Sequence, residues 1–205
     1  MRQDGLMGSD AWLVVGLGNT GRKYEDNRHN VGRMVVDLLA RRAGASLARH
    51  PSQTYLADVR LGVGPGGVPG PRAILARTNG YMNVSGGPVK ALAAYYGIAP
   101  ERLLVVHDEL DLPAWTLRLK RGGGEGGHNG LRSISGALGT RDYLRLRFGV
   151  GRPPGRQDPA DYVLSDFSAA EQPELALQLE LAADAIEDVA VRGLELAQMR
   201  LHAAP

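Results

Sequence analysis

The chain has 205 residues, of which 43 % are hydrophobic and 22 % charged, and it contains no cysteine. That length buries a core without covalent staples, and the lack of thiols excludes a disulfide framework, a thiolate zinc site and a cysteine nucleophile. The formal net charge of +2 hides a division: residues 1–165 hold 22 Lys/Arg against 14 Asp/Glu, while residues 166–205 hold 2 against 8. The body is basic, which suits a polyanionic partner, and the C-terminal segment is acidic.

Residues 1–10 are polar and are expected to fray, and no apolar stretch after Met1 makes a signal peptide. With no apolar run of ~18 residues either, the expectation is a cytoplasmic protein. Residues 11–17 (A-W-L-V-V-G-L) read as a buried strand. After a polar stretch over 18–28, Val31, Met34, Val35, Leu38 and Leu39 recur on one stripe of a helix that starts at His29 and closes at Gly44. Residues 54–61 alternate as a strand, 62–71 form a glycine- and proline-rich hairpin loop with nothing to pack, and 72–77 are the returning strand. Residues 83–96 read as a helix with Gly86-Gly87-Pro88 in its first turns. A second buried strand over 103–106 is followed at once by H-D-E-L-D-L-P. A short strand over 116–120, a glycine loop over 121–127 and a helix over 128–138 come next. Residues 143–150 alternate, with Leu144, Leu146 and Phe148 on one side and Arg145 and Arg147 on the other. After a loop over 152–158, Ser168 and Glu171 form a capping box that opens one long acidic helix over 168–199. Strands alternating with helices predict a single α/β domain over 1–205, with a central mixed, largely parallel twisted β-sheet flanked by helices.

In such sheets ligands bind beyond the carboxyl ends of strands. The chemically rich segments 18–30, 78–83 and 107–111 sit there, with the glycine loop at 122–129 as a fourth rim. Gly16, Gly18 and Gly21 match G-x-G-x-x-G. However, the turn-forming residues 22–27 keep any helix N-terminus away from a pyrophosphate, and Asp37, the nearest acid by count, falls inside the helix. The loop before Asn129 lacks the G-K-[S/T] of a P-loop, and no G-x-S-x-G is present. His29, His107 and His128 lie on the rim without metal-ligand spacing. Asp108, Glu109 and Asp111 could hold a hard cation, but an acidic turn is their commoner meaning, and no metal is expected.

General-base chemistry suits these residues better. Histidine, with a reference pKa of about 6.5, takes a proton from water near neutral pH, best when a carboxylate holds its other ring nitrogen. His29 and Asp108 lie on loops that can meet. Asn19, Asn30, Asn83 and Asn129 add neutral amides that both donate and accept, which suits an acyl or peptide group whose oxyanion needs donors.

The motifs V-G-L-G-N-T-G and R-H-N-V-G within 15–32, Y-M-N-V-S-G at 81–86, H-D-E-L-D-L-P at 107–113 and G-G-H-N-G at 126–130 together resemble the bacterial-type peptidyl-tRNA hydrolase family. The resemblance runs from about Trp12 to Met199. It implies a cytoplasmic monomer that needs no metal or other cofactor and cleaves the ester between a peptide and the tRNA 3′-ribose, recycling tRNA lost from ribosomes. It also implies His29 as the catalytic base, Asp108 as the acid that orients it, and Asn19 as the residue telling N-blocked peptidyl-tRNA from aminoacyl-tRNA. Tyr24, Asn30, Tyr81, Met82, Asn83, His128 and Asn129 become substrate-binding, and Lys120, Arg147 and Arg118 become contacts to a tRNA phosphate. The tRNA acceptor arm is an A-form duplex read by shape and phosphates, which suits Arg118, Lys120, Arg121, Arg132, Arg141, Arg145, Arg147 and Arg152. The chain departs from the family pattern at Asn79, where proline is usual, at Gly18, at Glu125 and in the long loop over 62–71. The alternative is a non-catalytic RNA-binding module on the same scaffold.

Overall fold

The computed structural model describes residues 9–203. The expectation of fraying at 1–8 lies outside them, while Ser9 is tied down, its N–H donating to the Gly97 carbonyl at 2.9 Å.

Among the described residues the strands are β1 (Trp12–Gly16), β2 (Ala48–His50), β3 (Thr54–Arg60), β4 (Arg72–Thr78), β5 (Leu103–Glu109), β6 (Leu117–Arg121) and β7 (Leu144–Gly149), in one sheet of order β2-β3-β4-β1-β5-β7-β6. The four central strands β4, β1, β5 and β7 are parallel, and antiparallel strands close both sides. Helices α1 (Val31–Arg42), α5 (Gln172–Arg192) and α6 (Leu194–Ala203) cover one face. Helices α2 (Gly86–Tyr96) and α3 (Asn129–Leu138) cover the other, and α4 (Pro159–Val163) is a single short turn at the rim. With both faces covered, β1 is buried at every position, as a central parallel strand must be. Trp12 and Val14 enter one apolar layer, and Leu13 and Val15 enter the other.

Three expectations change. β2 is an added edge strand, three residues long, too short to show a period. β5 runs on to Glu109, so His107 and Asp108 lie inside it, paired with Arg147 and Phe148 of β7. The capping box forms, with the Ser168 N–H donating to Glu171 Oε2 at 2.7 Å. The helix it opens is nevertheless two helices, because Gly193 at φ +87° breaks the chain between α5 and α6; positive φ is a conformation that glycine adopts without cost. The loop over 62–71 is the exposed hairpin expected, with Val63 and Val68 exposed and Val63 bridging Pro69; only its base meets the fold, where Gly62 lies against Glu187 and Val191 of α5.

Candidate active site

The chain leaves β1, passes through α1, and adds β4 on one side; it then crosses through α2 to place β5 on the other side of β1. This reversal opens a crevice at the carboxyl ends of β1 and β5. Two glycines let the next segment close over it. A Cβ on Gly16 would stand 2.2 Å from the Gly32 carbonyl oxygen, and a Cβ on Gly32 would stand 2.2 Å from the Val106 oxygen. Only this backbone-on-backbone approach lets the start of α1, and the 3₁₀ turn Arg28–Asn30 before it, rest on β5. Gly32→Ala is therefore expected to cost about 3 kcal/mol, the top of the usual overpacking range. At this chain length the fall in Tm is about 6–12 °C by calorimetry. Gly136→Ala, in α3 with nothing within 4 Å, is the comparison that leaves Tm unchanged or raised.

His29 projects from the 3₁₀ turn, and its Nδ1 is 2.9 Å from both carboxylate oxygens of buried Asp108. Burial alone would lower the His29 pKa, but the charge and hydrogen bond of Asp108 outweigh it and raise the pKa above 6.5. Burial would raise Asp108, yet the histidines that bond it hold it below the usual carboxylate range, so it is an acceptor only. His29 Nδ1 therefore carries the proton, and Nε2 keeps the lone pair.

Asp108 has a second partner. His128 Nε2 lies 2.9 Å from Asp108 Oδ1, while His128 Nδ1 accepts from the Gly130 and Leu131 N–H groups as the N-cap of α3. The cap fixes the tautomer, so Nε2–H donates to the carboxylate. The rings of His29 and His128 are 4.9 Å apart. His107, pushed down to about 3 chiefly by burial, is neutral and sits 2.7 Å from the Asp108 carbonyl through Nδ1. His29, Asp108 and His128 bring three ligand-type atoms together. A metal would need lone pairs where both imidazoles hold protons, and the α3 cap blocks the other tautomer of His128. The cluster is thus built as a hydrogen-bond relay.

The four asparagines divide. Asn30 is buried and spends its whole amide on Asn19, accepting from the Asn19 N–H at 2.8 Å and donating to its carbonyl at 2.9 Å. The expectation that it binds substrate gives way to a supporting place beneath the cleft. Asn19 Oδ1 accepts from the Met82 N–H at 2.8 Å, so its amide is oriented by a backbone donor and presents Nδ2. Asn83 and Asn129 line the cleft with Tyr81, Met82, His29, His128 and Glu125; its volume is about 770 Å³. Tyr24 meets Tyr81 edge-to-face at 6.4 Å on the rim.

Sequence reading missed the brace beside the histidine. Arg28 is buried, bonds Glu171 through two contacts of 2.8 Å, and lies over the rings of Tyr162 and Phe167 at 4.7 and 4.9 Å. It ties the turn bearing His29 to the segment between α4 and α5. The capping-box glutamate was the legible half of this pair.

The family model described as peptidyl-tRNA hydrolase matches residues 13–205. The chain is 60 % identical over 195 residues to the peptidyl-tRNA hydrolase of Kineococcus radiotolerans, covering 95 % of this chain and 98 % of that one. It is 62 % identical over 192 residues to that of Frankia alni, covering 94 % of each. The chain belongs to the peptidyl-tRNA hydrolase family. The crystal structure of the peptidyl-tRNA hydrolase from Acinetobacter baumannii superposes with a TM-score of 0.83 at 34 % identity, over 97 % of this chain and 98 % of that one.

In this peptidyl-tRNA hydrolase family member the β6–β7 edge carries basic residues beside the cleft. Arg118 is opposite Arg147, and Lys120 is opposite Arg145, so all four share one face. Arg145, expected to suit a phosphate, is instead buried and donates to the Gly124 and Gly123 carbonyls at 2.7 and 2.9 Å, holding the glycine loop in shape. Arg147 pairs with Glu109 at 3.0 Å, and Arg121, Arg141 and Arg152 pair with Asp142, Glu125 and Asp111. Arg118, Lys120 and Arg132 have no ion-pair partner among the described residues. No helix among them is long and apolar enough to cross a membrane.

Proposed function

We propose that the chain hydrolyses the ester between the peptide and the tRNA 3′-ribose in peptidyl-tRNA, as a cytoplasmic, monomeric, single-domain enzyme using water and no metal or other cofactor. The observation that carries this is the His29–Asp108 contact, which leaves the free lone pair on Nε2 of a largely buried imidazole at the surface of the cleft. His29 Nε2 takes a proton from water as the water oxygen attacks the ester carbonyl. The tetrahedral oxyanion collapses, the ribose oxygen leaves, and the imidazolium returns the proton to it. Asp108 holds the tautomer and stabilises the imidazolium, and His128 holds Asp108. The amides of Asn83 and Asn129 donate to the peptide and to the developing oxyanion.

Asn19 supplies the discrimination. Its Oδ1 is occupied by Met82, so Nδ2 offers only donors. A peptide carbonyl satisfies them, whereas the α-ammonium of aminoacyl-tRNA sets donor against donor. A site that leaves such polar groups unpaired rejects the wrong substrate strongly. Lys120, Arg118 and Arg147 receive the phosphates of the acceptor arm. Arg147 exchanges its partly buried partner Glu109 for phosphate.

The deciding assay compares N-acetyl-aminoacyl-tRNA with aminoacyl-tRNA in excess chelator. Release of the N-acetyl-amino acid alone is expected, with affinity falling steeply as salt rises, and with a shallower salt slope for Lys120→Ala. Binding without release would establish the RNA-binding module instead, and release lost to chelation would establish a metal enzyme.

A further inference from the structure

Beyond Asn19, on the side of the sheet away from β6 and β7, one cation has no evident role. Arg33 is only 9 % exposed, its stem packed against Gly18. Its one hydrogen bond among the described residues goes to Thr20 Oγ1 at 3.1 Å. The remaining guanidinium nitrogens have no protein partner, and they are not among the buried orphaned atoms, so they reach solvent. Thr20 follows Asn19 directly. Its N–H donates to the Gly80 carbonyl at 3.0 Å and its hydroxyl to the Thr78 carbonyl at 3.3 Å. The guanidinium is thereby fixed at the seam between the loops that follow β1 and β4.

A second arginine stands beside it. Arg77, over the Tyr55 ring at 5.5 Å, gives Nη1 to Asp37 at 2.7 Å. Asp37 faces both arginines but bonds only this one, and exposed Glu25 makes no ion pair with either. Burial first, and Arg77 second, push Arg33 down to about 10, which leaves it charged at neutral pH. A guanidinium so largely buried, with one hydrogen bond to the protein and its other donors turned to solvent, is pre-organised to take an anion there, and a carboxylate can do so bidentately.

We propose that Arg33, seconded by Arg77, forms an anion subsite for the peptide limb of the substrate, receiving an aspartate or glutamate side chain one or two residues before the esterified one. The proposal rests on the peptidyl-tRNA reading above, and sheet order gives the direction. The basic face lies on β6 and β7, the reacting ester at β5 and β1, and Asn19 at β1. The nucleic acid leaves His29 toward β7, so the acyl chain leaves across Asn19 toward β4, where Arg33 and Arg77 wait.

The test uses N-acetyl-tripeptidyl-tRNAs with Asp, Asn or Lys at either residue preceding an esterified phenylalanine. For the unmodified chain kcat/KM is expected to run Asp over Asn over Lys at one of these positions. The Asp/Asn ratio should be about tenfold at low salt, the lower end for a hydrogen bond to a charged group, carried mainly in KM. In Arg33→Met that ratio falls to one. Equal kcat/KM for Asp and Asn in the unmodified chain, which needs no variant to fold, overturns the subsite while leaving ester cleavage standing. A ratio preserved in Arg33→Met also overturns it. Failure to cleave any of these substrates removes the peptidyl-tRNA reading itself, and the subsite with it.

Discussion

His29→Ala is expected to lower kcat at neutral pH by about 10⁴-fold, the top of the range for losing a general base. The loss should fall on kcat and kcat/KM alike, because the missing interaction belongs to the transition state. The fold should survive. The side chain lies at the cleft surface, 14 % exposed, and its removal leaves Asp108 bonded to His128. Single-turnover release of peptide from N-acetyl-aminoacyl-tRNA, with near-ultraviolet circular dichroism as the check on folding, measures this. Turnover within tenfold of the unmodified chain would place the base elsewhere.

Asp108→Asn is expected to cost about 10³–10⁴-fold in kcat, as removal of the orienting carboxylate does in a histidine-based triad. His128 still donates to the asparagine oxygen, because the α3 cap holds its tautomer. The amide NH₂ then faces His29 Nδ1, which must become an acceptor. That puts the imidazole proton on Nε2, where it cannot take one from water. The pH profile shifts as well, and the sign follows from the causes of the His29 shift. In the unmodified chain Asp108 outweighs burial and raises His29 above 6.5, so activity is lost as pH falls through a value above 6.5. With the carboxylate gone only burial remains, so the acidic limb of kcat/KM moves to lower pH even as the plateau drops. An acidic limb unmoved in the variant would show that the pair does not set the titration. The two losses act through one unit, so the double variant should be little worse than either single one.

How far these residues were legible in the sequence depended on what each one needed. His29, Asp108, Asn19 and the cleft amides could be named because they sit in short motifs after apolar strands, and alternation of strands and helices leads ligands to strand ends. The second partner of Asp108 was not legible as such. His128 showed only its helix-start position, whereas its contact with β5 needs α3 docked on the sheet. Asn30 and Arg145 carry the same chemistry as their neighbours Asn19 and Arg147. Their burial, which turns them from ligand contacts into supports for a loop, depends on which way a turn or strand face points after packing.

The sequence by itself determined the fold class, the excluded chemistries and the basic body, because hydrophobic period, glycine placement and charge are local quantities summed along the chain. Tertiary structure decided that β5 extends through Asp108, that Gly16 and Gly32 let α1 settle on it, and that one carboxylate is shared by two imidazoles with fixed tautomers. It also decided that Arg33 lies nearly buried, with one protein hydrogen bond and its other donors turned to solvent, beside the loop of Asn19. These are contacts between residues 11 to 79 positions apart, and no local pattern records them. They exist only once the sheet order has brought the strand ends to one edge.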